Sequence, residues 1–265
     1  MFGAVIGDIV GSPYEFGSHK RKDFPLFGHN CRATDDSVMT IAVGLACVDG
    51  HLCDEQRFKA DLIRHMRALG RMYPSAGYGE MFFRWLMDDS ADSYGSYSNG
   101  SAMRVSPVAW AGESLEDVLR LAAWSAEVTH DHPDAIKGAQ AVAAAIYLAR
   151  TGQDQDAIRD YICRHFYDLD FTLEQIRPTY EADLSCEGSV PQAIMCFLEA
   201  RDYTDAVRNA VSLGGDGDTQ AAMAGAIAEA YFGIPEEVLE EGLEYLDETL
   251  REYLLEYTDE LYANG

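Results

Sequence analysis

The stretch Gly214-Gly215-Asp216-Gly217-Asp218-Thr219 stands directly ahead of an alanine-rich run that continues from Thr219 to Tyr231. Small side chains on most faces of such a run favour a helix packed closely inside a bundle rather than at its surface. A second alanine-rich run, from Ala135 to Arg150, has the same character. The two runs predict an all-α fold whose core helices approach one another closely.

Helical periodicity dominates the rest of the chain as well. Between Asp54 and Leu69 one stripe is apolar, formed by Phe58, Leu62, Met66 and Leu69. Ser114 is a candidate N-cap for a further helix. Beyond Pro235, leucines recur every three or four residues with acids between them, which predicts an amphipathic C-terminal helix or helix pair. Because we find no β-alternation, repeat or Gly/Ser/Pro-rich linker, we expect a single compact multi-helix domain over residues 1–265.

Composition limits the classes of partner. The formal net charge of −25 repels phosphate backbones and anionic headgroups, which argues against general nucleic-acid or membrane binding. No apolar run approaches the roughly 18 residues of a membrane span, and the N-terminus shows no secretory signal. Six cysteines without a C-x-x-C pair are typical of reduced, mostly buried thiols. We therefore expect a cytoplasmic protein; its oligomeric state leaves no signal in the sequence.

Two acidic motifs open predicted helices. Thr34-Asp35-Asp36-Ser37 precedes the apolar run Val38 to Val48, so its threonine can cap a helix and its acids can complement the helix dipole. The stretch from Gly214 to Thr219 offers two carboxylates two residues apart beside a hydroxyl. An EF-hand calcium loop is the obvious alternative for it, but Ala221 stands where that loop needs glycine and Ile227 where it needs a bidentate glutamate.

The two motifs together predict a metal site, provided that the fold brings them together. Four carboxylates within about 5 Å of one another would repel by roughly 3 kcal/mol per pair at an effective dielectric near 20. Two divalent cations carry the matching positive charge. Hard oxygen ligands without cysteine or a histidine triad favour Mg²⁺ or Mn²⁺ over zinc.

Six short motifs follow one another along the chain: G-D-x-x-G-x-x-x-E (Gly7 to Glu15), T-D-D (Thr34 to Asp36), G-Y-G (Gly77 to Gly79), N-G-x-x-M-R (Asn99 to Arg104), T-H (Thr129 and His130) and G-G-D-x-D-T (Gly214 to Thr219). Their order and spacing resemble the ADP-ribosylglycohydrolases, which include the enzymes that reactivate ADP-ribosylated dinitrogenase reductase. The resemblance covers almost the whole chain, and its paired acid motifs are its specific part. It implies an all-α fold that binds two Mg²⁺ or Mn²⁺ ions in a cleft.

The same resemblance implies roles for individual residues. As metal ligands it implies Thr34, Asp35, Asp36, Asp216, Asp218 and Thr219. On stretches that hold ADP-ribose it places Gly77, Gly79, Ser96, Tyr97, Asn99, Gly100 and His130. Glu15 matches a glutamate on a mobile loop that touches a metal or gates the site. Gly217 and Ser37 differ from the residues usual in the family, and we expect these departures to affect local rigidity rather than activity.

The implied reaction is hydrolysis of the bond between C1″ of ADP-ribose and an acceptor, either a protein side chain or a small ester, through an oxocarbenium-like state. Glu15 and Asp36 are the candidate catalytic residues, because an unligated carboxylate oxygen can assist proton transfer from a metal-bound water. The loop from Gly95 to Gly100, with its helix-start amides, is expected to hold the pyrophosphate. The acceptor linkage and the choice between Mg²⁺ and Mn²⁺ leave no signal in the sequence.

Several alternatives stay open at this point. A non-catalytic ADP-ribose-binding or structural protein would carry the same motifs. His130-Asp131 is also the pair that defines the H-D phosphohydrolases, although the acidic motifs would then have no role. We interpret Asp8 as helix-stabilising, and the basic loop Lys20 to Lys22 as solvated or as recruiting an anionic substrate. Tyr78 and Tyr97 are either packing aromatics or stacking partners of adenine or ribose.

Overall fold

The computed structural model describes residues 1–264, with side chains through residue 261, and builds them almost entirely from helices. The α-helices are α1 (Phe2–Gly11), α2 (Asp35–Val48), α3 (Glu55–Met72), α4 (Glu80–Met87), α5 (Gly100–Met103), α6 (Ser106–Ala111), α7 (Leu115–Glu127), α8 (Pro133–Arg150), α9 (Gln155–His165), α10 (Leu173–Ile176), α11 (Cys186–Leu198), α12 (Tyr203–Val211), α13 (Gly217–Phe232), α14 (Glu236–Leu243) and α15 (Glu248–Asn264). Two isolated β-bridges, and no strand, occur among these residues. The predicted all-α fold is confirmed; the predicted domain ends at Gly265, which lies outside the described residues.

The apolar stripes expected from the sequence face the core. Phe58, Leu62, Met66 and Leu69 are all buried along α3. Ser114 caps α7 by accepting a hydrogen bond from the amide of Asp117 over 3.1 Å. The acidic C-terminal region forms a pair of helices, α14 and α15, whose apolar side chains are buried, among them Leu243, Leu250, Leu254 and Tyr257.

Helix α13 lies at the centre of the bundle. Every residue from Gly217 to Glu229 is buried, and the helix packs against α1, α8, α11 and α12. The second alanine-rich helix, α8, packs against α7, α11 and α13. The alanine-rich runs therefore occupy the interior, as their composition predicts.

Glycines at every fourth position allow α1 to approach α13 at backbone distance. A Cβ atom at Gly7 would lie 2.1 Å from the carbonyl oxygen of Ala221, and one at Gly11 would lie 2.4 Å from the Cα of Asp218. These distances leave no room for any side chain, so only glycine permits the contact. Because Asp8 lies between the two glycines on α1, the contact brings its carboxylate to the acidic start of α13.

Two expectations from composition can be compared with the structure. No helix among the described residues is both long enough and apolar enough to cross a membrane. The six cysteines are free thiols. They are not mostly buried, because Cys47, Cys186 and Cys196 are buried, Cys31 is partly buried, and Cys53 and Cys163 are exposed.

Substitution of Gly7 by alanine should destabilise the fold, because the new methyl group forces α1 away from α13. Overpacking of this kind costs about 1–3 kcal/mol of the free energy of unfolding. Urea-induced unfolding followed by circular dichroism measures the change. The control is Gly28→Ala, at an exposed position where a Cβ has nothing within 4 Å. Equal stability of the two variants would contradict the proposed role of the contact.

Candidate active site

The two acidic motifs meet at the floor of one cleft. At the start of α13, the Thr219 hydroxyl donates a hydrogen bond over 3.3 Å to Oδ2 of Asp36, at the start of α2. Asp36 and Asp218 each place a carboxylate oxygen within 4.8 Å of the other and of Asp8. The expected convergence of the motifs is present in the structure. The closest three carboxylates, however, take only one aspartate from each motif and complete the set with Asp8.

Asp8 is the site residue that sequence reasoning missed. Its carboxylate accepts hydrogen bonds from the amides of Thr34 (2.9 Å) and Ser37 (3.1 Å), from Thr34 Oγ1 (2.6 Å) and from Ser37 Oγ. Asp8 therefore stabilises the first turn of α2, so its interpretation as helix-stabilising describes its bonds but not its place in the acidic cluster. The available signal was an aspartate inside an otherwise apolar run, because a buried charge requires partners.

Burial and mutual repulsion raise the pKa values of the clustered carboxyl groups. The pKa of Asp35 is raised to about 7, first by burial and then by the nearby charge of Asp8. Burial also raises the pKa of Asp36 and of Asp218 well above the usual value, with Asp8 the next cause for the former and Asp216 for the latter. Clustered buried acids oppose folding at neutral pH unless protons or cations neutralise them.

One unsatisfied oxygen and the donor chemistry fit a hard cation. Oδ1 of Asp36 is buried and has no hydrogen-bond partner in the described part of the chain, whereas buried polar atoms are normally paired. The surrounding acids offer oxygen ligands only, which is the chemistry that Mg²⁺ and Mn²⁺ prefer. A cation at Asp36 Oδ1 would supply the missing partner and neutralise the repulsion.

The cleft above this floor has a volume of about 750 Å³, within the range of roughly 300–1,000 Å³ typical of small-molecule sites. Its lining contains the residues expected to hold ADP-ribose, namely Gly77, Gly79, Ser96, Tyr97, Asn99, Gly100 and His130, together with Glu15, Asp35, Asp36, Asp216, Asp218 and Thr219. Among the expected site residues Thr34 alone does not line the cleft. It is buried behind the floor, where its hydroxyl donates to Asp8.

Backbone bonds tie two of the cleft loops to its floor. The Gly215 amide donates to the carbonyl of Gly17 over 2.8 Å, which anchors the loop that carries Glu15. The Asp35 amide donates to a carbonyl of the loop at residues 73–79, that of Ala76, over 3.1 Å. In the same loop Gly77 has a φ of 124°, and a Cβ there would lie 3.1 Å from Oδ1 of Asp35. Glycine is therefore required at this position both by the backbone conformation and by the adjacent acid.

The loop at residues 95–100 departs from its expected role as a set of pyrophosphate-binding amides. The helix that follows it, α5, has only four residues. Three of the loop amides already donate within the protein: Gly95 to Asp131 over 2.7 Å, Ser98 to Ser96 over 3.3 Å, and Asn99 to Leu184 over 2.8 Å. The Asn99 side chain also points to the floor, where Nδ2 donates to Asp216 over 2.6 Å. The loop therefore offers a ligand its side-chain hydroxyls and its other amides, rather than these three.

The His130-Asp131 pair lacks the geometry of a metal site. Nδ1 of His130 lies 2.7 Å from the Thr129 hydroxyl, and Nε2 lies 3.0 Å from the Ser98 hydroxyl, so both ring nitrogens are engaged. Asp131 instead accepts hydrogen bonds from loop groups, among them the Ser93 hydroxyl over 2.8 Å. The structure therefore argues against the H-D phosphohydrolase alternative.

The basic loop at residues 20–22 is for the most part structural. Nζ of Lys20 donates to the Tyr180 carbonyl over 2.6 Å and to a second carbonyl. Lys22 forms an ion pair with Asp205 on α12. Arg21 alone of the three is strongly solvated, with 77% of its side chain exposed. The interpretation of the whole loop as solvated or substrate-recruiting is wrong for the two lysines, because tertiary acceptors hold their ammonium groups.

The two candidate stacking tyrosines have different surroundings. Tyr78 packs on Phe82 with ring centroids 5.6 Å apart and does not line the cleft. Tyr97 lines the cleft and is 59% exposed. Tyr78 is therefore a packing aromatic, whereas Tyr97 presents a ring to the cleft.

Comparisons with known proteins place the chain among proteins that are similar in sequence and in fold. The family model described as ADP-ribosylglycohydrolase matches residues 1–265. ADP-ribosylhydrolase ARH3 of Homo sapiens is 28% identical over 312 residues, which cover 88% of this chain and 84% of the human protein. ADP-ribosylarginine hydrolase Tri1 of Pseudomonas putida (strain GB-1) is 24% identical over 263 residues, which cover 88% of this chain and 70% of the relative. A solved structure of an ADP-ribosylglycohydrolase-related protein complex has a TM-score of 0.62 at 23% identity and covers 97% of this chain and 95% of its own.

In EDTA, the stability of the protein should fall as the pH rises. The pKa of Asp35 is raised from 3.8 to about 7, so the folded state keeps protons that the unfolded state releases above pH 3.8. The stabilisation from these protons is fully present below that pH and is lost as the pH passes through about 7. We expect Tm to drop by about 4 °C or more between about pH 5 and pH 7.5, and excess Mg²⁺ to restore it.

Calorimetry of two variants checks the origin of this pH effect. Asp36→Asn removes one buried charge, so its Tm in EDTA should fall less with pH and rise less on addition of Mg²⁺. The exposed Asp92→Asn should behave as the unaltered protein does. A Tm in EDTA that is constant or rises over this pH range would contradict the electrostatic description of the site.

Proposed function

The chain belongs to the ADP-ribosylglycohydrolase family, and from this premise we propose that it is a divalent-metal-dependent enzyme that hydrolyses the bond between C1″ of ADP-ribose and an acceptor. The observation that supports the proposal most strongly is the hydrogen bond between Thr219 and Asp36, which joins two acidic helix starts beneath the cleft. The substrate class is an ADP-ribosylated protein or a small ADP-ribose conjugate. One relative is named for arginine linkage and the other is not, so the names select no acceptor.

The proposed ligands of two Mg²⁺ or Mn²⁺ ions are Thr34, Asp35, Asp36, Asp216, Asp218 and Thr219. The structure adds a reason to separate them from Asp8. Both oxygens of Asp8 already accept hydrogen bonds from Thr34 or Ser37 at the start of α2, whereas Asp36 Oδ1 accepts none. We therefore assign Asp8 to orienting Thr34 and assign Asp36 to holding an ion. When bound, the ions would supply charge neutralisation and a water of lowered pKa.

The acidic floor suits the charge that develops in the reaction. Breaking the bond at C1″ creates positive charge on the ribose, and the floor carboxylates, which together with Asp8 and Glu15 exceed the charge of two divalent ions, stabilise positive charge more effectively than water does. Asn99 fixes one of these carboxylates by donating to Asp216 over 2.6 Å. The floor carboxylates are therefore oriented before the reaction, and they can stabilise the developing charge with little rearrangement.

Glu15 and Asp36 are the proposed groups for proton transfer. Burial, followed by the charge of Asp216, raises the pKa of Glu15, which moves this carboxyl group toward the pH range where it can both donate and accept a proton. The next residue, Phe16, has a φ of 52°, and the bridge between Gly17 and Gly215 follows immediately. A left-handed non-glycine residue beside a functional acid is the kind of strain found at active sites.

Loss of either floor aspartate of the second motif should abolish turnover. Asp218→Ala and Asp216→Ala should each lower kcat by about 10³-fold or more, because they remove metal ligation and transition-state electrostatics together. Release of ADP-ribose is measured on a panel of arginine-linked, serine-linked and base-linked substrates and O-acetyl-ADP-ribose. Asp92→Asn serves as the charge-matched surface control, with unchanged turnover.

The same panel, run with Mg²⁺ and after chelation, separates the competing hypotheses. Activity on one linkage that disappears in EDTA and returns with Mg²⁺ is the expected result, and it names the acceptor. Activity that persists after chelation would overturn the metal-dependent mechanism. Tight ADP-ribose binding without release from any substrate would favour the non-catalytic alternative.

A further inference from the structure

Five side chains form one hydrogen-bonded row that leads from the core to the wall of the cleft. The row begins at Arg104, continues through Thr129, His130 and Ser98, and ends at Ser96. Its successive polar atoms are 2.8, 2.7, 3.0 and 2.9 Å apart. Arg104 and Thr129 have no solvent-exposed surface, whereas Ser98 and Ser96 are partly exposed and both line the cleft. The row therefore connects a buried cation to the ligand site.

The buried end of the row fixes the direction of its first two bonds. A guanidinium group can only donate, so Nη2 of Arg104 donates to Thr129 Oγ1. The Thr129 hydroxyl has one proton and no access to water. Within residues 1–261, its remaining partner is Nδ1 of His130. Because a buried hydroxyl donates its proton where an acceptor is present, Nδ1 of His130 is the acceptor and carries no proton.

The tautomer of His130 determines the direction of the next hydrogen bond, which joins the ring to the Ser98 hydroxyl. Burial, followed by the charge of Arg104, lowers the pKa of His130 well below its usual value, so the ring is neutral and its single proton lies on Nε2. Nε2 therefore donates to the Ser98 hydroxyl. One of the two serine hydroxyls donates to the other over 2.9 Å, and Ser96 Oγ also accepts from the Ser98 amide over 3.3 Å. Whichever serine donates to the other, one hydroxyl proton of the pair remains, and it is directed into the cleft that both serines line.

We infer that Thr129 is a positioning residue that, through the tautomer of His130, makes the hydroxyl pair of Ser98 and Ser96 a hydrogen-bond donor toward the cleft. The group that this hydroxyl pair recognises is a hydrogen-bond acceptor, such as a phosphate oxygen. The identity of the ligand rests on the proposed function, since ADP-ribose carries a diphosphate. The directions of the three hydrogen bonds from Arg104 to Ser98 do not depend on the proposed function, because the protein groups alone determine them.

Histidine tautomers can be read directly from two-bond ¹H–¹⁵N correlation spectra of the ligand-free full chain labelled at histidine, with His130 assigned by its loss in His130→Gln. The unaltered protein should show His130 neutral and protonated on Nε2. Thr129→Val keeps the shape but removes the hydroxyl, so the tautomer preference should fall by about tenfold and both forms should be populated. Thr129→Ser restores the hydroxyl and should restore the single tautomer. Ser98→Ala acts beyond the ring and should leave the tautomer unchanged.

Calorimetric titration with ADP-ribose tests the cleft end of the row. Thr129→Val and Ser98→Ala should each raise Kd by about three- to tenfold, whereas Thr129→Ser should stay within about twofold. A His130 protonated on Nδ1 in the unaltered protein, or an unchanged tautomer in Thr129→Val, would overturn the inference, as would full ADP-ribose affinity in Ser98→Ala. If the tautomers behave as expected but the unaltered protein binds no ADP-ribose, the proposed function is wrong, whereas the assigned hydrogen-bond directions remain valid.

Discussion

The backbone contact between α1 and α13 is the constraint on which the acidic site depends. Because Gly7 and Gly11 leave no side chain between the helices, Asp8 reaches the first turn of α13. The same carboxylate accepts hydrogen bonds from Thr34 and Ser37 at the first turn of α2. One buried side chain thus links the two helix starts that supply the rest of the cluster.

The clustered aspartates prepare the cleft floor for a cation, but they also destabilise the folded chain. Buried aspartates at one point raise each other's pKa values, so the folded chain carries repulsion at neutral pH that a bound cation would relieve. The surrounding elements hold the acids in place regardless: α13 is enclosed along Gly217 to Glu229, and Asn99 fixes the orientation of Asp216. Clusters of buried, mutually repelling charges of this kind are characteristic of functional sites.

Sequence reasoning succeeded where the signal is local. The α3 stripe, the Ser114 cap, the buried alanine-rich helices and the two acidic motifs were all readable from short spacings. It missed what depends on tertiary contact. Helix α1 is apolar on every face, so periodicity could not identify it, and Asp8 was not assigned to the site. The lysines of the loop at residues 20–22 resemble a solvated patch until their carbonyl acceptors on distant segments are known. The amides of Gly95, Ser98 and Asn99 resemble part of an anion site until their internal acceptors are known.

Anomalous diffraction from crystals grown with Mn²⁺ tests the central claim most directly, because it locates cations without reference to activity. We predict two manganese peaks on the cleft floor, with Asp36 among the ligands and with oxygens from both helix starts in the coordination shells. A floor without anomalous density at saturating Mn²⁺, or ions held by the α2 motif or the α13 motif alone, would contradict the view that the α1–α13 contact assembles one shared site.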